Sequence, residues 1–371
     1  MGQAITQQKK RLEYIDAAKA LSIFMIMYGH ITDLSNPVDT WMSSCKVCIF
    51  YVISGFLMAY SNALHKRTPW QFVKNISATL AWPYFTFSVI AILVKAFYVF
   101  SKHWGMAAVA AEIRKNFDAS LFLKGINSMW FLPTLFFGEL IILALYKLPM
   151  VFRALYAVAG LLGFRLAALI MNRVGAAGFS ELTVTRIGYL VEMLGKSIVA
   201  AWFLGFGYCF YLLMKRIDAL EGQYTAKLII GIVLTVSNVF LALQNHHANF
   251  NGCSMGSKPL LFIYGGTLGS LGLILILDVI SHYVPMGWFS YWGKNSLILM
   301  CTHTALGFKR IAYNGWAKVA YIPKHAGTEY IIECFCVLLL LTLIMYGVIE
   351  FINRYLKFLT RWPGGIRKKA I

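Results

Sequence analysis

Tyr14 to His30 reads YIDAAKALSIFMIMYGH, a membrane span with ionisable groups at both ends. Leu21, Ile23, Phe24, Met25, Ile26 and Met27 suit a helix in hydrocarbon, yet Asp16 and Lys19 precede them and His30 follows. Lys19 and His30 are eleven residues apart. That is about 1100° of helical rotation, three turns plus roughly 20°, so both side chains leave nearly the same face. Asp16, three residues before Lys19, falls on that face too. Along the axis Lys19 and His30 lie about 16 Å apart, roughly half a bilayer core. Charged or titratable groups aligned in this way are costly in lipid and mark a functional interior.

The whole chain agrees with that reading. Of its 371 residues 59% are hydrophobic and 13% charged, against about 25% charged in an ordinary globular domain. Apolar runs recur over approximately 17–34, 46–62, 77–100, 128–147, 149–171, 187–214, 227–243, 259–280, 289–308 and 328–353. The expected fold is therefore all-α: a polytopic membrane protein of about ten transmembrane helices around a buried polar cavity. Residues 1–371 read as one membrane domain with short basic tails and no soluble domain. Met1 to Arg11 is polar and basic and no small-residue cleavage site follows the first apolar run, so no signal peptide is expected.

Lys and Arg total 34 against 15 acids, a net charge of +19. The cations flank apolar runs, which points to topology and anionic lipid headgroups and away from nucleic acid. Ten spans put both termini on one side, and Lys9, Lys10, Arg11, Arg361, Arg367, Lys368 and Lys369 assign that side to the cytoplasm. One loop disagrees: 309–327 carries Lys309, Arg310, Lys318 and Lys324 yet would face outward, so either one span is miscounted or the loop binds something outside, the second being favoured. The outer segments 101–127 and 172–186 read as short interfacial helices, and Asn353 to Ile371 as a basic amphipathic end on the inner headgroups.

Further polar residues stand out. His65, Lys66, Arg67 and Lys74 form a basic cluster before a span that opens on Trp82-Pro83; they serve either as inside-positive anchors or as a phosphate site. FYVISGFLM, Phe50 to Met58, places Ser54-Gly55 where helices can approach closely. In MWFLPTLFFGEL, Met129 to Leu140, Trp130 and Pro133 precede Glu139, which is too deep to face lipid and needs a partner. WGKNSLILMCTH, Trp292 to His303, has a polar start with Ser296 and a His at depth. The Cys45-x-x-Cys48 pair has no second pair of ligands and reads as packing. His246-His247 sit in a polar outer loop, 244–258, read as solvent-exposed, and no metal is expected.

Taken in order, these stretches resemble the membrane-bound acyltransferase-3 family, whose members O-acetylate or otherwise acylate sugars of bacterial envelopes. The family's first span carries an Asp, then an Arg or Lys, ten residues and a His, as Asp16, Lys19 and His30 do. FYVISGFLM resembles its phenylalanine-rich Ser-Gly segment, Trp130 to Pro133 its tryptophan segment, and Trp292-Gly293-x-x-Ser296 with His303 its penultimate segment. The likeness extends from about Arg11 to Phe351 and is greatest for the fucose-4-O-acetylase-like branch. Three departures stand against it. Lys19 replaces the commoner Arg, Ser77 stands where many relatives have a second Arg, and a W-S-x-x-x-E arrangement is absent. The esterase-like domain fused to some members is also missing.

The resemblance implies acyl transfer from acyl-CoA, most often acetyl-CoA, to a carbohydrate hydroxyl at the bacterial inner membrane. On that basis His30 is the expected general base and Asp16 orients Lys19. Lys19, with Lys66, Arg67 and Lys74, receives the phosphorylated end of the donor, and Ser54, Trp130, Glu139, Ser296 and His303 support substrate. A glycan or lipid transporter, and a non-catalytic membrane sensor, share the same gross features.

Overall fold

The computed structural model describes residues 12–219, 222–323, 325 and 327–362. The basic ends on which the orientation rests, Lys9 to Arg11 and Arg367 to Lys369, lie outside the described residues, as do Lys324 and the last part of the expected amphipathic end. Among the described residues all the extended regular structure is helical. In chain order the helices are α1 Glu13–Ile31, α2 Pro37–Cys45, α3 Cys48–Ser61, α4 Ala63–Lys66, α5 Pro69–Ile76, α6 Trp82–Ser101, α7 Met106–Leu121, α8 Phe131–Lys147 and α9 Met150–Ala159. They continue as α10 Gly163–Ala176, α11 Glu181–Ile217, α12 Gln223–Asn245, α13 Pro259–Tyr283, α14 Gly287–Lys294, α15 Ser296–Thr302, α16 Phe308–Trp316 and α17 Thr328–Tyr355.

Among the described residues eight helical stretches are long and apolar enough to cross a membrane, and they coincide with eight of the ten expected spans. The other two are the polar ones. α1 is one unbroken helix of 19 residues whose Asp16, Lys19 and His30 lower its hydropathy. The expected ninth span is broken: α14 ends at Lys294 and α15 begins at Ser296. Asn295 sits between them at φ −101°, ψ 10°, and Gly293, Asn295 and Ser296 are all weak helix formers.

Local chemistry sets several boundaries. Asn36 caps α2 by accepting from the Asp39 N–H at 2.9 Å, and Pro37 occupies the first turn, where its missing N–H costs nothing. Thr68 and Gln71 form a reciprocal capping box at the start of α5. α5 runs into α6 through a π-helical turn, Ser77–Ala81, placed just before Pro83, whose ring cannot continue the regular bonding pattern. The two segments expected on the outer side fare differently. Within 101–127, α7 is the short surface helix expected. Within 172–186 there is none, because α10 and α11 extend into that segment.

Burial separates inner helices from lipid-facing ones. In the most apolar windows 78% of α2–α3 is buried, against 22% of α12 and 28% of α17; the last two present Ile229, Val233, Phe240, Leu339 and Leu343 outward. α1 packs against α2, α3, α13, α14 and α17 and forms the axis of the assembly. Glycine permits the closest approaches. A Cβ on Gly55 of α3 would overlap the Leu204 carbonyl of α11, and one on Gly207 would overlap the Val52 carbonyl. These backbone contacts cannot relax as a flexible side chain would. Gly55→Val is therefore expected to abolish recovery of monodisperse protein after detergent extraction. Wild-type recovery of that variant would show that α3 and α11 can separate.

The 244–258 loop is largely exposed, His246 and His247 included, as expected, but four of its residues anchor it from within. Asn245, Ala248, Phe250 and Met255 are buried. Phe250 stacks on Trp130 with centroids 5.9 Å apart and also meets Tyr51, Phe164 and Phe262. One aromatic anchor thus folds a polar loop into the bundle. His247 lies 3.0 Å from Asp39, which also holds Lys46 at 3.0 Å.

Candidate active site between two cavities

α1 carries one cavity at each end. At the Lys19 end a cavity of about 290 Å³ is lined by Lys19, Ser54, Asn75, Thr79, Glu139 and Ser296, with Phe50, Phe131, Leu132 and Met300 among its apolar walls. The Ser54 hydroxyl donates to Glu139 Oε1 at 2.6 Å, and Arg67 is close enough to Glu139 for their charges to interact. So the deep carboxylate of α8 is tied to the Ser-Gly segment of α3 in a wall that also carries Lys19. Thr79 and Leu80 reach this cavity from the π-helical turn, an irregularity frequent at functional sites.

At the His30 end a larger cavity, about 550 Å³, is lined by His30, Lys95, Tyr98, Trp104, Glu112, Asn127, Asn251, Thr304, Lys309 and Arg310, among others. His30 is partly open to it, while the neighbouring His303 is fully buried. Their ring centroids are 5.2 Å apart. His303 Nδ1 is 2.6 Å from the Leu299 carbonyl, which can only accept, so that nitrogen carries a proton and the neutral ring has its lone pair on Nε2. Nε2 has no hydrogen-bond partner among the described residues.

Lys19 and His30 thus line different cavities. The separating layer is thin. Phe131 and Met300 face the Lys19 cavity, and Asn127 and Thr304 the His30 cavity; Asn127 is four residues from Phe131, and Thr304 four from Met300, one helical turn or about 6 Å. Ser128 fastens this layer, with its hydroxyl 2.7 Å from the Met300 carbonyl and 2.8 Å from Thr304 Oγ1.

The remaining expected residues divide clearly. Asp16 is buried, with its carbonyl packed against Gly293 of α14, and lines neither cavity. Lys66 and Lys74 are exposed and Arg67 half-buried; none of the three lines the Lys19 cavity. Asn75 and Thr79 lie on the wall instead. Trp130 supports Phe250 and touches neither cavity.

Sequence reading passed over Lys196. It is 2% exposed in the middle of α11 and donates to the Asn251 carbonyl and to Asn251 Oδ1 at 3.0 and 3.1 Å, with its ammonium 5.3 Å from the Trp130 ring centroid. It therefore holds Asn251 at the wall of the His30 cavity. A lone Lys inside an apolar run was the signal.

A family model described as an acyltransferase domain matches residues 12–350. The chain belongs to the acyltransferase-3 family. That match takes in α1, both cavity walls and the layer between them, so this acyltransferase-3 protein keeps its polar intramembrane groups within the part that defines the family. No curated protein and no solved structure matches the chain.

Proposed function

We propose that this membrane acyltransferase moves an acetyl group from acetyl-CoA to a hydroxyl of an envelope glycan or lipid-linked sugar at the bacterial inner membrane, with both termini in the cytoplasm. The observation that carries the reading is the pair of cavities in series along α1, one with a cation and the other with an imidazole, one helical turn apart. The Lys19 cavity receives the donor from the cytoplasm and the His30 cavity receives the acceptor from outside. CoA keeps its nucleotide phosphates far from its thioester, and the roughly 16 Å between Lys19 and His30 suits that separation.

In the chemistry, a sugar hydroxyl is a poor nucleophile until a base in hydrogen-bond reach accepts its proton. His30 takes that proton as the hydroxyl oxygen bonds to the thioester carbonyl carbon. The carbon–sulfur bond then breaks, CoA leaves as the thiolate, and His30 returns the proton to sulfur. The products are an O-acetyl sugar and CoA, with no oxidant or reductant consumed. Lys66, Arg67 and Lys74, outside the cavity but at the same end, supply a basic approach for the donor phosphates. The lone pair of His303 Nε2 beside His30 offers an acceptor that can steady the imidazole.

The test is incubation of purified protein with radiolabelled acetyl-CoA and envelope glycan. Label in the glycan supports the reading, while glycan movement across a vesicle without use of acetyl-CoA supports a transporter, and ligand binding with neither supports a sensor. Lys19→Ala is expected to weaken acetyl-CoA binding roughly tenfold to a hundredfold, the worth of one charge-assisted contact. Unchanged donor affinity in a calorimetric titration would remove Lys19 from that role.

A further inference from the structure

The basic loop that disagreed with the expected topology lies beside His30. Lys309 and Arg310, at the start of α16, line the larger cavity with Lys95 of α6. Two carboxylates stand near these three cations. Glu112 of α7 is 4.0 Å from Lys95, and Asp33, an exposed residue, is 3.6 Å from Lys309. Both contacts are long and partly solvated, so they bind their cations weakly. Arg310 makes no ion pair among the described residues. Its guanidinium carbon stands 3.9 Å from the centroid of the Tyr98 ring, and a guanidinium held against a ring keeps its edge N–H groups for a planar anion. The same wall offers amide groups from Asn127 and Asn251, and the indole of Trp104 is 63% exposed at its edge.

We propose that this cavity takes an acceptor bearing a fixed anion close to the reacting hydroxyl, a sugar carrying a phosphate or a carboxylate, and that Arg310 with Lys309 recognises that anion. The proposal rests on the reading that the His30 cavity receives the acceptor. A cation that is uncommitted to any described acid, on the wall that holds His30, would fix which hydroxyl of the sugar meets the base. Charge-assisted, bidentate contacts give both orientation and selectivity against neutral sugars.

The experiment uses the full chain in nanodiscs of zwitterionic phosphatidylcholine, with no donor present, and measures equilibrium binding of radiolabelled glucose 1-phosphate, glucuronic acid and glucose. One of the two anionic sugars is expected to bind roughly tenfold or more tightly than glucose, and which of them does so separates a phosphorylated acceptor from a uronic one. Arg310→Ala is expected to remove most of that preference, and Arg310→Lys to keep part of it. Arg310 is exposed, so its removal leaves the fold intact, which thermal unfolding checks. Equal binding of all three sugars, no saturable binding of either anion, or a preference that survives in Arg310→Ala would each overturn the proposal. The readout needs no catalysis. An anion preference without acetyl transfer would sink the enzyme reading and leave this site standing, whereas acetyl transfer without a preference would do the reverse.

Discussion

Replacing His30 with alanine is expected to slow acetyl transfer by roughly a hundredfold to ten-thousandfold, the usual contribution of a positioned general base. His30 is partly open to the larger cavity, so its loss enlarges a space that already exists and buries no unpaired charge; insertion and donor affinity should stay at wild-type values. His303 is not expected to take over, because it is fully buried and does not line the larger cavity. Since the cavity is open to small molecules, added imidazole should restore part of the lost rate in His30→Ala and none in the wild type. The measurements are transfer of label from acetyl-CoA, a donor titration and the monodispersity of the variant. More than a tenth of the wild-type rate in a properly folded His30→Ala protein would end the assignment of His30 as the base.

How far the chain could be read beforehand follows from what its residues encode locally. Long apolar runs write their own helices, since lipid requires every backbone group to be bonded within the segment, and eight were legible as such. α14–α15 was not, because Leu297 to Met300 supply the apolarity of a span while the break depends on one residue, Asn295. The anchor of the 244–258 loop was hidden for a related reason. The loop's composition is polar, but Phe250 finds an aromatic pocket assembled from α3, the α8 region, α10 and α13, and no local pattern announces it.

Within the site, Lys19, Ser54, Glu139 and Ser296 were visible because polar groups inside apolar runs must face protein, and the structure brings all four to one wall. Their neighbours Asn75 and Thr79 were hidden by the conspicuous charges of Lys66, Arg67 and Lys74 nearby. The larger cavity was least legible. Lys95, Glu112, Asn127, Asn251 and Arg310 come from separate segments, and periodicity along a single helix does not say which helices will be neighbours. Even so, the basic loop that disagreed with the expected topology marked the wall to which Lys309 and Arg310 belong.

The second large effect concerns the layer between the cavities. Met300→Trp is expected to abolish acetyl transfer while preserving acetyl-CoA binding. Met300 is 4% exposed and forms the floor of the Lys19 cavity with Phe131, and its side chain is the most readily rearranged in that layer, unbranched and with three rotatable bonds. Its backbone is fixed, because its carbonyl accepts from Ser128, so opening can come from the side chain without moving the helix. A donor whose phosphates stay near Lys19 must pass its acetyl end through this layer to reach His30, and an indole in place of the thioether closes the route. Added volume in a packed region typically costs about 1–3 kcal/mol, so Met300→Phe, a smaller insertion, should slow transfer to an intermediate rate. Met300→Ala, which widens the route, should keep transfer or raise hydrolysis of acetyl-CoA by water entering from the His30 side. Full-rate transfer in a folded, donor-binding Met300→Trp protein would mean that the acetyl group does not pass between Phe131 and Met300. The two cavities would then serve separate ligands, and the division of labour along α1 would have to be abandoned.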